Sequence, residues 1–195
     1  MSTESARSPV GRPRDQNADK AILAATFKHL IQHGYARMSI EGIAAEAGVG
    51  KTTIYRRFAN KQELAAAAIT SNITIDNVVD VHDTLAEIGG VLDVLTNALI
   101  HNHALRIIGT LLAEEVNDPE LLAVFRKRVI LPRRDLLRQV LLRGIRNAQV
   151  RDDLDVEVAI DFISSVAVGR YLSGDPVDST WTTSVLDSFW HMIRR

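Results

Sequence analysis

Four groups of residues in this 195-residue sequence have types and spacings that could do chemistry. Gly50-Lys51-Thr52 matches the end of a phosphate-binding loop, in which backbone N–H groups and a lysine cradle a nucleotide. That loop needs an earlier glycine where this chain has Ala45, and a buried strand where Ile40 to Ala47 is Ala-rich and helically periodic. A P-loop NTPase is therefore the weaker alternative. His29 and His33 stand one helical turn apart and could share a metal, but no HExxH carboxylate or third ligand accompanies them, so no metal is expected. His101, His103 and Arg106, with the pair Glu114-Glu115, come without a nucleophile or a ligand spacing. Caps and solvated faces account for them better than catalysis. The sequence thus predicts no enzyme, no catalytic residue and no cofactor.

The fourth group is Lys51 to Phe58. Its large aliphatic and phenyl side chains, Ile54 and Phe58, lie four apart and can bury one edge of a short helix. Lys51, Thr52, Thr53, Tyr55, Arg56 and Arg57 are then left to face outward. Cations, hydroxyls and one aromatic suit phosphate oxygens and base edges. Neighbouring elements must hold this helix. Ser39 can cap a preceding helix whose Ile40, Ile43, Ala44 and Ala47 share a face. Gly48 and Gly50, on either side of Val49, then form a tight turn between two helices. The spacing predicts a helix-turn-helix. Upstream, a helix over 18–33 carries Ile22, Leu23, Phe27, Leu30 and Ile31 inward and ends at Gly34. Downstream, Asn60 and Glu63 read as the capping box of a fourth helix that buries Leu64, Ala67, Ala68 and Ile69.

The run Thr53-Ile54-Tyr55-Arg56-Arg57-Phe58-Ala59-Asn60-Lys61-Gln62-Glu63-Leu64 resembles the end of the DNA-binding region of TetR-family (tetracycline-repressor-like) regulators. Ile22-Leu23-Ala24-Ala25-Thr26-Phe27, then Leu30 and Gly34-Tyr35, resembles that family's first helix, with Leu30 where an aromatic is commoner. The resemblance covers roughly residues 18–64. It implies an all-α fold, with a three-helix, homeodomain-like helix-turn-helix module followed by a helical ligand-binding and dimerisation domain. It also implies a homodimeric transcriptional regulator on a palindromic operator of double-stranded DNA, most often a repressor released by a small-molecule effector. Thr53, Tyr55, Arg57 and Lys61 fall where family members commonly touch DNA. In this reading Thr52, Thr53, Tyr55, Arg56 and Arg57 occupy the major groove and its walls, while Ser39, Lys51 and Lys61 hold phosphates. Arg57 also lies near the buried edge of its helix. A helical scaffold without DNA readout is the other alternative.

Charge is divided unevenly. Residues 1–64 hold ten Lys or Arg against six Asp or Glu, whereas residues 65–195 hold thirteen against eighteen. A basic front and an acidic remainder suit a DNA-reading module joined to an interaction body. The expected division is a disordered basic arm over 1–17, a DNA-binding domain over 18–65, and a ligand-binding and dimerisation domain over 66–195. In the arm, Gly11-Arg12-Pro13-Arg14 resembles an AT-hook core, and Arg12 and Arg14 could enter a narrow minor groove. With no cysteine there is no disulfide or thiolate site. No secretion signal or long apolar span appears, so a cytoplasmic protein with no membrane partner is expected.

The acidic part reads as helices throughout. Asp83 can cap one helix, Asp118-Pro119 opens a long one, and Pro132 is expected to kink or break it. Asp155 and Asp178 open the last two. Family resemblance implies that these last two pair with their copies in a second subunit. Phe162, Val166, Trp181, Val185, Leu186, Phe189 and Trp190 supply the apolar face for that dimer, more than a terminal helix needs to cover one small core. The helical body would enclose a pocket for a largely apolar effector, with Asn97, His101, Arg106 and Arg170 as candidate polar anchors.

Overall fold

Side-chain caps set where most helices begin in the computed structural model, which describes residues 16–72, 83–101 and 104–195. Ser39 Oγ accepts from the Gly42 N–H at 3.0 Å and starts α2 (Ile40–Glu46). Asn60 Oδ1 accepts from the Glu63 N–H at 2.8 Å and starts α4 (Lys61–Asn72). Asp83 does the same for α5 (Thr84–His101), and Asp118 for α7 (Pro119–Phe125). Asp155 and Asp178 cap α9 (Val156–Leu172) and α10 (Ser179–Ile193). The set is completed by α1 (Gln16–Arg37), α3 (Lys51–Arg57), α6 (Ala104–Glu114) and α8 (Leu131–Arg146). Among the described residues the structure is helical, with one isolated antiparallel bridge between Val150 and Arg194.

Two glycines do what their positions demand. Gly34 adopts φ 72°, in the left-handed region, and kinks α1 before its final turn. Gly48 at φ 65° turns the chain from α2 toward α3. Helix α1 starts at Gln16 rather than 18, and the arm residues Arg12 and Arg14 lie outside the described residues.

The expected break at Pro132 does not occur. The chain stays helical from Pro119 to Arg146, and the irregularity sits just upstream, in a π turn over Arg126–Ile130. There the Leu131 N–H bonds to the Arg126 carbonyl, five residues back. This wide turn shifts the ladder out of its i→i−4 register before the proline ring arrives, so the helix accepts it.

The apolar residues divide into two cores. The first buries Ile22, Ile43, Ile54, Leu64 and Ile69 together with Leu111 from α6 and Leu121, Leu122 and Phe125 from α7. The second lies among α5, α8, α9 and α10, where Ile88, Leu92, Leu137, Leu141, Ile160 and Ile193 are fully enclosed. The division expected at 65–66 therefore falls inside α4 and inside one continuous core: α6 and α7 belong to the packing of the N-terminal helices.

Candidate functional site

Helix α3 is fixed from behind and open in front. Ile54 is 1% exposed and docks the helix into the first core, whereas Lys51, Thr52, Tyr55 and Arg56 face solvent and Thr53 is half-buried. Tyr55 keeps 58% of its surface exposed, which no packing role requires. Helix α2 is held close to α1 through Gly42, where an added Cβ would stand 2.8 Å from His29 Cε1. His29 Nε2 lies 3.1 Å from Glu46, so this histidine ties α1 to α2, and no metal-binding cluster exists among the described residues. The phosphate-loop alternative loses its geometry here, because helix α2 stands where its strand would be.

The cations divide by what they already touch. Lys51 Nζ sits 2.8 Å from Glu41 at the exposed front edge. The hydrogen bond from Lys51 holds the Glu41 carboxyl below its ordinary value and raises the Lys51 ammonium in return. Arg57, expected to touch DNA, is turned inward. Its guanidinium pairs with Asp19 of α1, also bonds the Thr53 carbonyl, and keeps 11% side-chain exposure. Lys61, expected to hold a phosphate, lays its ammonium 4.4 Å from the Tyr35 ring centroid, where partial burial lowers its pKa. Both therefore act first as clamps on α1. Arg56 is the arginine of this helix that projects outward.

Behind the helix-turn-helix a polar hub joins the module to the body. Asp118 Oδ2 accepts from the Tyr35 hydroxyl at 3.1 Å and from Gln62 Nε2 at 2.9 Å, while Oδ1 caps α7 through the Leu121 N–H. Burial, and then the Asp118 carboxylate, push the Tyr35 hydroxyl well above its usual range. The Glu63 carboxylate reaches Arg128 of the π turn at 2.6 Å instead of folding back on Asn60. The reciprocal half of the capping box is exchanged for a link to the body.

At the far end, α9 and α10 present an open apolar groove of about 380 Å³ between Phe162, Val166, Trp181, Val185, Phe189 and Met192. Phe162 is 58% and Leu172 75% exposed. Among the expected interface residues, Phe189 keeps 6% exposure within its own chain: it packs in the second core and also lines the groove floor. Val166, Trp181, Val185, Leu186 and Trp190 are half-buried, with Leu186 packed close to Gly89 of α5.

Sequence comparison bears on the whole of this arrangement. Residues 22–68 match the model of bacterial regulatory proteins of the tetR family, and residues 79–189 match that of the tetracyclin repressor-like C-terminal domain. This chain belongs to the TetR family. Like other TetR-family proteins it is a helix-turn-helix transcriptional regulator. It is 30% identical over 183 residues to the uncharacterized HTH-type transcriptional regulator YdeS of Bacillus subtilis, covering 92% of this chain and 91% of that one. It is 27% identical over 180 residues to the DNA-binding transcriptional repressor TetR of Mycobacteroides abscessus, covering 89% and 92%. The crystal structure of the TetR family transcription regulator SCO0332 superposes with a TM-score of 0.68 at 25% identity, over 90% of this chain and 97% of that one.

The body of this TetR-family regulator rearranges the expected anchors. Asn97 and Arg106 face solvent. Arg170 is committed to the α9–α10 connection, bonding Asp175 and the Pro176 carbonyl and lying over Trp181 at 5.7 Å. The His101 side chain lies outside what is described, as does His103. A second cavity, about 150 Å³, is instead lined by Val91, Leu95, Ala98, Ala104, Ile108, Ile130, Leu137, Ala167 and Val168, with Arg133, Arg134 and Ser164 as its polar members. Arg133 has no motif to announce it, and Asp118 is legible as a helix cap but not as the partner of Tyr35 and Gln62. A sequence can show a cation after a proline or an aspartate at a cap, but not what each faces across the fold. No described helix is long and apolar enough to cross a membrane.

Proposed function

We propose that the protein acts in the cytoplasm as a homodimeric repressor that binds a palindromic operator through α3 and leaves it when a small effector occupies the body. The observation that carries the reading is the outward face of α3: Thr52, Tyr55 and Arg56 exposed on a helix whose other side is locked by Ile54. Arg56 and Thr52 are assigned to base edges, with Thr53 at the groove wall and Tyr55 to a base methyl or the backbone. Lys51 exchanges Glu41 for phosphate, and Ser39 lies at the same edge. Arg12 and Arg14 enter the proposal from the sequence alone, as a minor-groove arm. Arg57 and Lys61 hold the helix in place from within.

Two-fold symmetry follows from the α9–α10 face. A stable dimer buries about 800 Å² on each partner, and an exposed row of Val158, Phe162 and Leu172 beside an open groove supports an interface there. Two copies of α3 then meet successive major grooves about 34–36 Å apart. The test is selection of bound DNA from a random pool, followed by mobility shifts on the selected sequence at several salt concentrations. A palindrome, a steep loss of affinity with salt and loss of binding in Tyr55→Ala and Arg56→Ala are expected. Undiminished binding by both variants would remove α3 from DNA recognition. In sedimentation Phe162→Asp should yield monomers. A stable native monomer of the unsubstituted chain would overturn the dimer.

A further inference from the structure

Resting on the effector-released reading above, we infer that the cavity of about 150 Å³ between α5, α6, α8 and α9 is a site for one small neutral molecule, a single ring with one hydroxyl, its ring among the apolar walls and its hydroxyl on Ser164. Size comes first. An apolar cavity of about 150 Å³ holds one benzene ring, and drug-sized ligands need about twice that or more. The walls meet across the seam of the two cores. Ala98, Ala104 and Ala167 belong to the first, Val91 and Leu137 to the second, and none of them offers a hydrogen bond through its side chain. Three alanines at that seam leave room that longer side chains would fill, and a ring placed there gains dispersion contacts with both cores.

The polar lining decides the chemistry. Arg134 is drawn to the outer side of α9, where Asp161 and Glu157 hold it, the latter at 2.9 Å. Arg133 is half-buried and has an interaction of its own. With both cations engaged, a ligand charge of either sign would give up its water without gaining a dedicated partner, which favours a neutral molecule. Ser164 is placed differently. Ser165, Ser184 and Ser188 each donate to a carbonyl three or four residues back in their own helix. Ser164 sits half-buried on the cavity wall and makes no such bond among the described residues. A serine hydroxyl both donates and accepts, so it pairs with a ligand hydroxyl in either sense. One polar partner among apolar walls fixes a ring at one end.

The experiment titrates the full-length protein with phenol, toluene, benzoate and the two-ring naphthol by calorimetry and thermal shift, with the Ser164→Ala and Val168→Phe variants alongside. Phenol is expected to bind best, toluene about threefold to tenfold more weakly, and benzoate and naphthol more weakly still. Ser164→Ala should bring phenol down to the affinity of toluene and leave toluene unchanged, while Val168→Phe should abolish the binding of both. The first variant removes one oxygen and the second changes volume alone, so a folding defect in either leaves the other to report. Benzoate or naphthol binding as tightly as phenol, an undiminished preference for phenol in Ser164→Ala, or no phenol binding to the unsubstituted protein would overturn the assignment. A parallel mobility shift on the selected operator separates this from the functional reading. If phenol binds through Ser164 and leaves operator affinity unchanged, the site stands and the effector switch falls. If benzoate or naphthol releases DNA in Val168→Phe as in the original chain, the switch stands and the small neutral site falls.

Discussion

The core under the reading helix and the core under the dimer face are assembled differently. The first gathers helices as short as the seven residues of α2, α3 and α7, with side chains drawn from residues 22–69 and again from 98–129. The second closes on four helices of 15 to 18 residues. Seven-residue helices are far too short to persist alone, so α2 and α3 hold their shape because they pack on each other and on α1, with Ile43 and Ile54 in the first core. The reading head is therefore not an appendage on a sensor body. Its supporting helices lean on the body, α1 on α6 and α4 on α7, so a displacement of α6 or α7 reaches α3 through α1 and α4.

The strongest way to break this comparison is Leu121→Ala. Leu121 is 1% exposed, comes from α7, and sits in the first core. Truncation should cost about 2–5 kcal/mol in urea denaturation and lower hydrogen-exchange protection in α1 and α4 as well as in α7. If protection falls in α7 alone, the shared core is a fiction of proximity. Asp118→Ala comes next. It removes a helix cap and the acceptor for Tyr35 and Gln62 together, so a loss of about 2 kcal/mol or more is expected, against about 1 kcal/mol for the plain cap Asp155→Ala. A double-mutant cycle with Tyr35→Phe should show coupling; additive losses would reduce Asp118 to an ordinary cap.

Two neighbouring arginines sharpen the contrast on a smaller scale. Arg57→Ala should destabilise the fold by about 1–2 kcal/mol through the loss of its part-buried pairing with Asp19. Arg56→Ala should stay within about 0.5 kcal/mol in stability while losing DNA affinity. The reverse pattern in paired denaturation and mobility-shift measurements would exchange their roles. The least effect belongs to the second region's surface. Arg138, followed by Arg134, holds the Glu157 carboxyl down to about 2. A depressed carboxyl contributes stability that is complete above its ordinary value of 4.5 and is lost as pH falls toward 2. The stability difference between the original chain and Glu157→Gln should therefore be small at neutral pH and shrink between pH 5 and pH 2. A difference that is flat over that window would mean the pairs with Arg134 and Arg138 add nothing.

What could be read from the sequence follows the same boundary. Ser39, Gly48, Asn60 and the four aspartate caps are local devices, acting over three or four residues, and each is found where its spacing places it. So is the buried Ile54 with its exposed neighbours. Contacts between residues far apart in the chain escaped. Arg57 meets Asp19, Lys61 meets Tyr35, and Arg133 borders a cavity whose other walls come from three different helices. Phe189 shows the limit from another side: helical periodicity identifies an apolar residue, and only the packing shows that it serves the second core as well as the groove.

The π turn at Arg126–Ile130 is in effect an insertion of one residue within an otherwise continuous rod. One residue is about 100° of helical rotation. Phe125 just before it and Val129 within it face the first core, and downstream Leu137, Val140 and Leu141 face the second. Its extra residue sets the angular phase between those two faces. Deleting any one of the five residues would restore a regular hydrogen-bond ladder and still turn the α8 stripe by roughly a quarter of a circle away from its partners. A frame-preserving deletion here should thus do far more damage than the same deletion at 151–153, where the chain is exposed.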